Sequence, residues 1–109
     1  MTNNQNKDKP EVLVVSPQTE REPQFISARF AVTPAVLHAL SEAEIGEALS
    51  RHFSGDWGEV CEADAQENEL SLREGYRILS AYTSKAGEKF WVITEADRSV
   101  TTVLFPREY

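Results

Sequence analysis

Among the residues able to do chemistry, His52 stands first, because an imidazole titrates near neutrality and can give or take a proton there. Paired with the carboxylate of Glu95, and with Arg77 or Arg98 holding a phosphate, it would make the acid and base of a small ribonuclease or toxin. The simpler reading is structural: His52 falls on the apolar stripe of a helix, beside a glycine turn, where hydrogen-bonded buried histidines are common. A second group is Gly55-Asp56-Trp57-Gly58, in which Asp56 and Trp57 offer a carboxylate and an indole to a ligand. Here too a structural role suffices, with the glycines supplying unusual backbone angles, Asp56 accepting N–H bonds and Trp57 plugging the core. Asn68, Tyr82 and Asp97 complete the candidate ligand or interaction residues. His38, His52 and Cys61 do not form a metal-ligand spacing, and a lone cysteine closes neither a disulfide nor a zinc cage. No phosphate loop, nucleophile elbow or HExxH occurs. Neither metal nor cofactor is expected.

The elements that must position these residues are legible from spacing. Phe25 to Val32 alternates with period two, setting Ile26, Ala28, Phe30 and Val32 on one face of a strand. Thr33-Pro34 opens a short helix whose apolar side is Val36, Leu37 and Leu40, since Thr caps free N–H groups and Pro suits the first helical position. Ser41-Glu-Ala-Glu44 reads as a capping box, and Ile45, Ala48, Leu49, His52 and Phe53 follow at the spacing of a buried stripe. A third helix is expected over about 61–74, with Cys61, Ala65, Asn68 and Leu72 on one face, ended by Gly75.

Segments 77–83, 89–95 and 100–105 are rich in aromatic and β-branched residues and are separated by turn-sized gaps, which predicts an antiparallel three-strand meander. Pairing them symmetrically sets Tyr82 opposite Phe90, Arg77 opposite Glu95 and Thr94 opposite Thr101. One face then holds Leu79, Ala81, Trp91, Ile93 and Leu104; the other holds Ile78, Tyr82, Phe90, Val92, Val103 and Phe105. Both are apolar, so helices covering one face leave the other for the N-terminal segment or a second copy of the chain. Helix three would run about 18–20 Å at 1.5 Å per residue. Laid along the strands, it would put His52 at the far end from Glu95.

The chain carries 11 Lys+Arg against 18 Asp+Glu, a net charge of −7. Residues 42–74 hold ten acids against Arg51 and Arg73, a block of −8, whereas the chain from residue 75 is nearly neutral. Direct nucleic-acid binding, which needs a basic stripe to displace counterions, is disfavoured. The acidic block reads as a solvated helical face, or alternatively as an imitation of a nucleic-acid backbone presented to a host defence enzyme. The opening MTNNQNKDKP lacks the apolar stretch of a signal peptide and no run of 18 apolar residues occurs, so a cytoplasmic location away from membranes is expected.

From residue 51 onward, His52-Phe-Ser-Gly-Asp-Trp-Gly58, Asp64, Asn68, Gly75-Tyr-Arg-Ile-Leu-Ser-Ala-Tyr82, residues 91–106 and Tyr109 resemble a family of short, uncharacterised bacterial proteins often carried on plasmids and other mobile elements. The resemblance covers about half of the chain and implies a mobile-element context. Some such proteins are labelled type I restriction modification subunits, but a methyltransferase needs a longer chain with a Gly-rich strand-to-helix turn, which is missing here.

The expected architecture is α+β: a leading strand, three short helices and a C-terminal three-strand antiparallel meander. Residues 1–22 form a disordered tail or linker, in which Glu11–Val15 is an edge strand or partner-binding segment, and 23–109 form the one domain. The expected function is that of a non-catalytic, self-associating accessory protein of a mobile element, a homodimer with a possible further protein partner.

Overall fold

A computed structural model describes residues 22–109. The expected tail, including Glu11–Val15, lies outside the described residues but for Glu22. The elements are β1 (Arg29–Val32), α1 (Pro34–Ala39), α2 (Glu42–Phe53), α3 (Glu62–Glu74), β2 (Ile78–Thr83), β3 (Lys89–Thr94), β4 (Val100–Leu104) and a 3₁₀ turn, Pro106–Glu108.

The fold is α+β, with three helices and one four-stranded mixed sheet in the order β1-β4-β3-β2. The last three strands pair antiparallel in sequence, with Tyr82 opposite Phe90 and Thr94 opposite Thr101. They do not stand as a meander of their own, because β1 adds in parallel beside β4, Phe30 opposite Thr101 and Val32 opposite Val103. Local patterning shows that a strand forms, whereas its neighbour and direction depend on residues some 70 positions away, which the pattern does not report.

The helices begin where their caps dictate. Thr33 accepts from the Val36 N–H, and Ser41 and Glu44 close a capping box over the first turn of α2. α3 ends in Gly75, whose φ of 83° turns the chain out of the helix. α1 and α2 lie on the face bearing Tyr82, Phe90, Val92, Val103 and Phe105, packing Val36, Leu40, Ile45 and Ala48 against it. Side chains such as Val36, Val92 and Val103, fully buried, each stabilise the fold by about 1.5–3 kcal/mol.

Three packing expectations are corrected. Leu37 points outward rather than joining Val36 and Leu40, and on the alternating face Ile26 and Phe30 are exposed while Val32 is half-buried. A period-two pattern separates two faces but does not say which one is covered, and at the edge of a sheet neither need be. On the second face Ala81, Ile93 and Leu104 are buried and Leu79 and Trp91 half-buried, so little of it is an open apolar surface. Finally, α3 is fixed at the edge of the sheet: Asn68 donates through Nδ2 to the Leu79 carbonyl (2.8 Å) and accepts the Leu79 N–H at Oδ1 (3.2 Å). A side-chain amide thereby continues the ladder at the outer edge of β2 and seals it.

Candidate functional site

His52 lies on the inner face of α2, and its ring is enclosed between the helix and the sheet. Ser80 Oγ is 2.6 Å from Nδ1 and Thr94 Oγ1 is 2.8 Å from Nε2. From Thr94 the chain of hydroxyls continues to Thr101 (2.7 Å), whose hydroxyl donates to Ser27 (2.8 Å), which in turn donates to the Arg29 carbonyl (3.0 Å). A hydroxyl has one proton, so the direction of the whole row follows from its end. Thr101 donates to Ser27 and must accept from Thr94. Thr94, its proton used, must accept from His52 Nε2–H. Nδ1 is therefore the acceptor, and Ser80 donates to it. The network assigns the neutral Nε2–H tautomer, in which every proton has an acceptor.

A second proton on His52 would require Ser80 to give up its donor role and would carry charge into a site sealed from water. Burial, with a smaller contribution from the Arg98 guanidinium, pushes the imidazole down to about 3. His52 is thus neutral at physiological pH and has no ring nitrogen left to offer a substrate. Phe25, Phe53 and Trp57 ring it, with centroids 5.3, 5.4 and 6.0 Å away.

The expected catalytic set does not converge. His52 is not at the remote end of the sheet, since it bonds Thr94, the residue before Glu95. Glu95, however, follows in the strand alternation with its side chain directed away from the helices, and it is exposed. Arg77 and Glu95 make no ion pair; Arg77 instead lies over the Tyr109 ring (5.2 Å) and donates to its hydroxyl.

Arg98 is committed to backbone. One terminal nitrogen donates to the carbonyls of Tyr76 (2.8 Å), Ala96 (3.1 Å) and Glu95 (3.3 Å), and the other to that of Ser71 (3.0 Å). It closes the C-terminus of α3 onto the β3–β4 turn, where unsatisfied carbonyls favour a cation. Its own φ is 61°, a left-handed value costly for a side chain with a Cβ, and these bonds hold it there. In the same turn Asp97 accepts the Ser99 N–H (2.9 Å), and hydrogen bonds from Ser99 keep its carboxyl below the usual range.

Asp56, Trp57 and Tyr82 do come together. Asp56 pairs with Arg51 (2.8 Å and 3.3 Å) and accepts the Gly58 N–H (3.2 Å), while the Tyr82 hydroxyl donates to the Asp56 carbonyl (2.6 Å). The Arg51 guanidinium lies 4.6 Å from the centre of the Tyr82 ring, and burial raises the phenol above its ordinary range. Buried Trp57 donates through its indole N–H to Glu69 (3.0 Å). The Gly-Asp-Trp-Gly turn then bridges in parallel to Ala81, which brings Gly58 so close to the Ala81 carbonyl that a Cβ has no room.

Arg51, Ser80, Thr94 and Thr101 are the partners that sequence reasoning passed over. A signal for the hydroxyls existed: Ser80, Thr94 and Thr101 are the polar positions on an otherwise apolar face, opposite a helix that carries a histidine at a core position.

Two shallow clefts open near these residues. One, of about 110 Å³, is bordered by Glu44, Glu47, Arg51, Tyr82, Lys85 and Phe90. The other, of about 210 Å³, is bordered by Asp64, Glu67, Asn68, Arg77 and Leu79. Both are smaller than the roughly 300–1,000 Å³ of typical small-molecule sites. Several acids of the −8 block are already engaged: Glu44 with the Ser41 and Lys85 N–H groups, Asp56 with Arg51, Glu59 with Lys89 and Glu69 with Trp57. Among the described residues no three His, Cys, Asp or Glu side chains gather as metal ligands, and no helix is long and apolar enough to cross a membrane.

No family model, no curated protein and no solved structure matches this chain.

Proposed function

We propose that the protein is a non-catalytic interaction module that works by associating with itself, as an accessory of the mobile-element kind to which its motifs point. The observation that carries this reading is the commitment of its reactive side chains to the fold. His52 has both ring nitrogens bonded inside the core, and Arg98 spends its terminal nitrogens on four backbone carbonyls. The surface also exposes large apolar side chains: Ile26 is 73% exposed, Phe30 61% and Leu37 58%, along with Tyr76 and Tyr109. Gathered on one stretch of chain, as the first three are, such side chains favour a protein partner.

Light scattering at tens of micromolar tests the reading, with a mass near twice that of the 12.3 kDa chain expected. A strictly monomeric mass removes it. RNA cleavage by the wild type, lost in a folded His52→Gln variant, would restore the ribonuclease alternative.

A further inference from the structure

The exposed apolar residues Ile26, Phe30 and Leu37 share one stretch of chain, Pro23 to Ser41, which contains a single charged side chain, Arg29. In a protein whose charge is −7 and whose acids are massed in residues 42–74, this is the segment where two copies can meet without bringing like charges together. An aromatic row leads out to it from the core: Trp57 and Phe25 (6.2 Å), Phe25 and Phe53 (5.1 Å), then Phe53 and Phe30 (5.8 Å).

The segment also holds the edge of the sheet. Arg29 donates its N–H to the Ser99 carbonyl and Thr33 to the Val103 carbonyl, so odd-numbered positions of β1 face β4. The N–H and C=O of Phe30 and Val32 therefore face outward, and no partner for them occurs among the described residues. At the opposite edge, Asn68 and the Gly58 bridge cover β2. The two edges of the sheet differ in this respect, and the one without a partner among the described residues carries the exposed phenylalanine.

We propose that a second copy of this chain pairs its β1 antiparallel to this β1, about a two-fold axis at Ala31, joining two four-stranded sheets into one of eight. The proposal rests on the self-association advanced above and names its surface. With the axis at Ala31, Phe30 faces Val32 of the second copy and Val32 faces its Phe30. The two outward N–H groups and two outward carbonyls of each copy are then used in four hydrogen bonds. Arg29 falls opposite Thr33, so no charge faces its like. Ala31, small and exposed, sits on the axis where the two backbones approach. Phe30 lies beside the Val32 of the other copy on the face that carries α1.

Sedimentation equilibrium of the whole chain, up to about 500 μM, measures the dimer constant of the wild type, Phe30→Asp, Phe30→Pro and Tyr76→Asp. Phe30→Pro removes an outward N–H and leaves the β4 ladder intact. Tyr76 is exposed elsewhere and serves as the control. The expected result is a dimer weakened about tenfold or more by either Phe30 variant and unchanged in Tyr76→Asp. Amide exchange adds a readout that needs no variant: the Phe30 and Val32 N–H groups gain protection as wild-type concentration rises. A wild-type dimer unaffected at Phe30, without that protection, overturns this surface and leaves self-association standing. A wild type monomeric throughout overturns both.

Discussion

The row of polar groups around His52 and the outer edge of β1 differ in one respect that decides what each can do. Along the row from Ser80 through His52, Thr94 and Thr101 to Ser27, each proton has an acceptor and the ring is out of reach of water. At the edge, Phe30 and Val32 present backbone donors and acceptors beside exposed apolar side chains. The first region holds the residue types associated with catalysis but has no unused bonding capacity. The second holds bland residue types and, among the described residues, has capacity to spare. Residue type alone therefore draws attention to the first region, and hydrogen-bond accounting draws it to the second.

The comparison is broken most severely by removing the imidazole. His52→Leu leaves the Ser80 and Thr94 hydroxyls short of a partner in the core and should cost about 2–4 kcal/mol, read by urea unfolding. A loss near zero would mean that the row is not a closed network.

Acidification acts on the same group. The folded imidazole has its pKa depressed to about 3, against an ordinary 6.5, so below 6.5 the unfolded chain binds a proton that the native chain refuses. Stability due to neutral burial is full above pH 6.5 and declines by about 1.4 kcal/mol for each pH unit below it, levelling off near pH 3. The carboxyls of Glu44, Asp97 and Glu108 are held below their ordinary values by hydrogen bonds from the Lys85, Ser99 and Phe105 segments, and they add losses only lower, below about pH 4.5. Between pH 6.5 and 5 the decline should therefore vanish in His52→Gln.

Arg98 sharpens the contrast between a committed charge and a free one. Arg98→Ala keeps the strained backbone and loses the bonds to four carbonyls, so a cost of about 2–3 kcal/mol is expected. Arg98→Gly relieves the φ of 61° and should be milder by about 1 kcal/mol. Equal losses would show that the left-handed turn carries no strain. The smallest effect belongs to the surface pair Lys89–Glu59 (3.4 Å), half exposed on both sides, where Lys89→Ala should change stability by less than about 0.5 kcal/mol.

How much of this was legible in the chain depended on range. The helix starts at Thr33 and Ser41, the stop at Gly75 and the register that pairs Thr94 with Thr101 are written in neighbouring residues and turn lengths. That Trp57 is buried and Asp56 accepts backbone N–H was likewise legible in the Gly-Asp-Trp-Gly turn. The parallel docking of β1 on β4 was not, nor was Asn68 acting as a surrogate strand, because each depends on where distant segments come to rest. The expected Arg77–Glu95 pair failed for a related reason. Register placed the two residues opposite one another, but the C-terminal Tyr109, far along the chain, offered Arg77 a ring and a hydroxyl. His52 was recognised as a core position, yet its partners required the helix to be laid on the sheet.

The titration of the His52 ring by NMR tests the central claim most directly. Its C–H resonances should hold constant from pH 8 down to pH 5, with the Nε2 proton visible and slow to exchange. A midpoint between pH 6 and 7, with a rapidly exchanging ring proton, would show an open imidazole fit for acid–base work and would contradict the account.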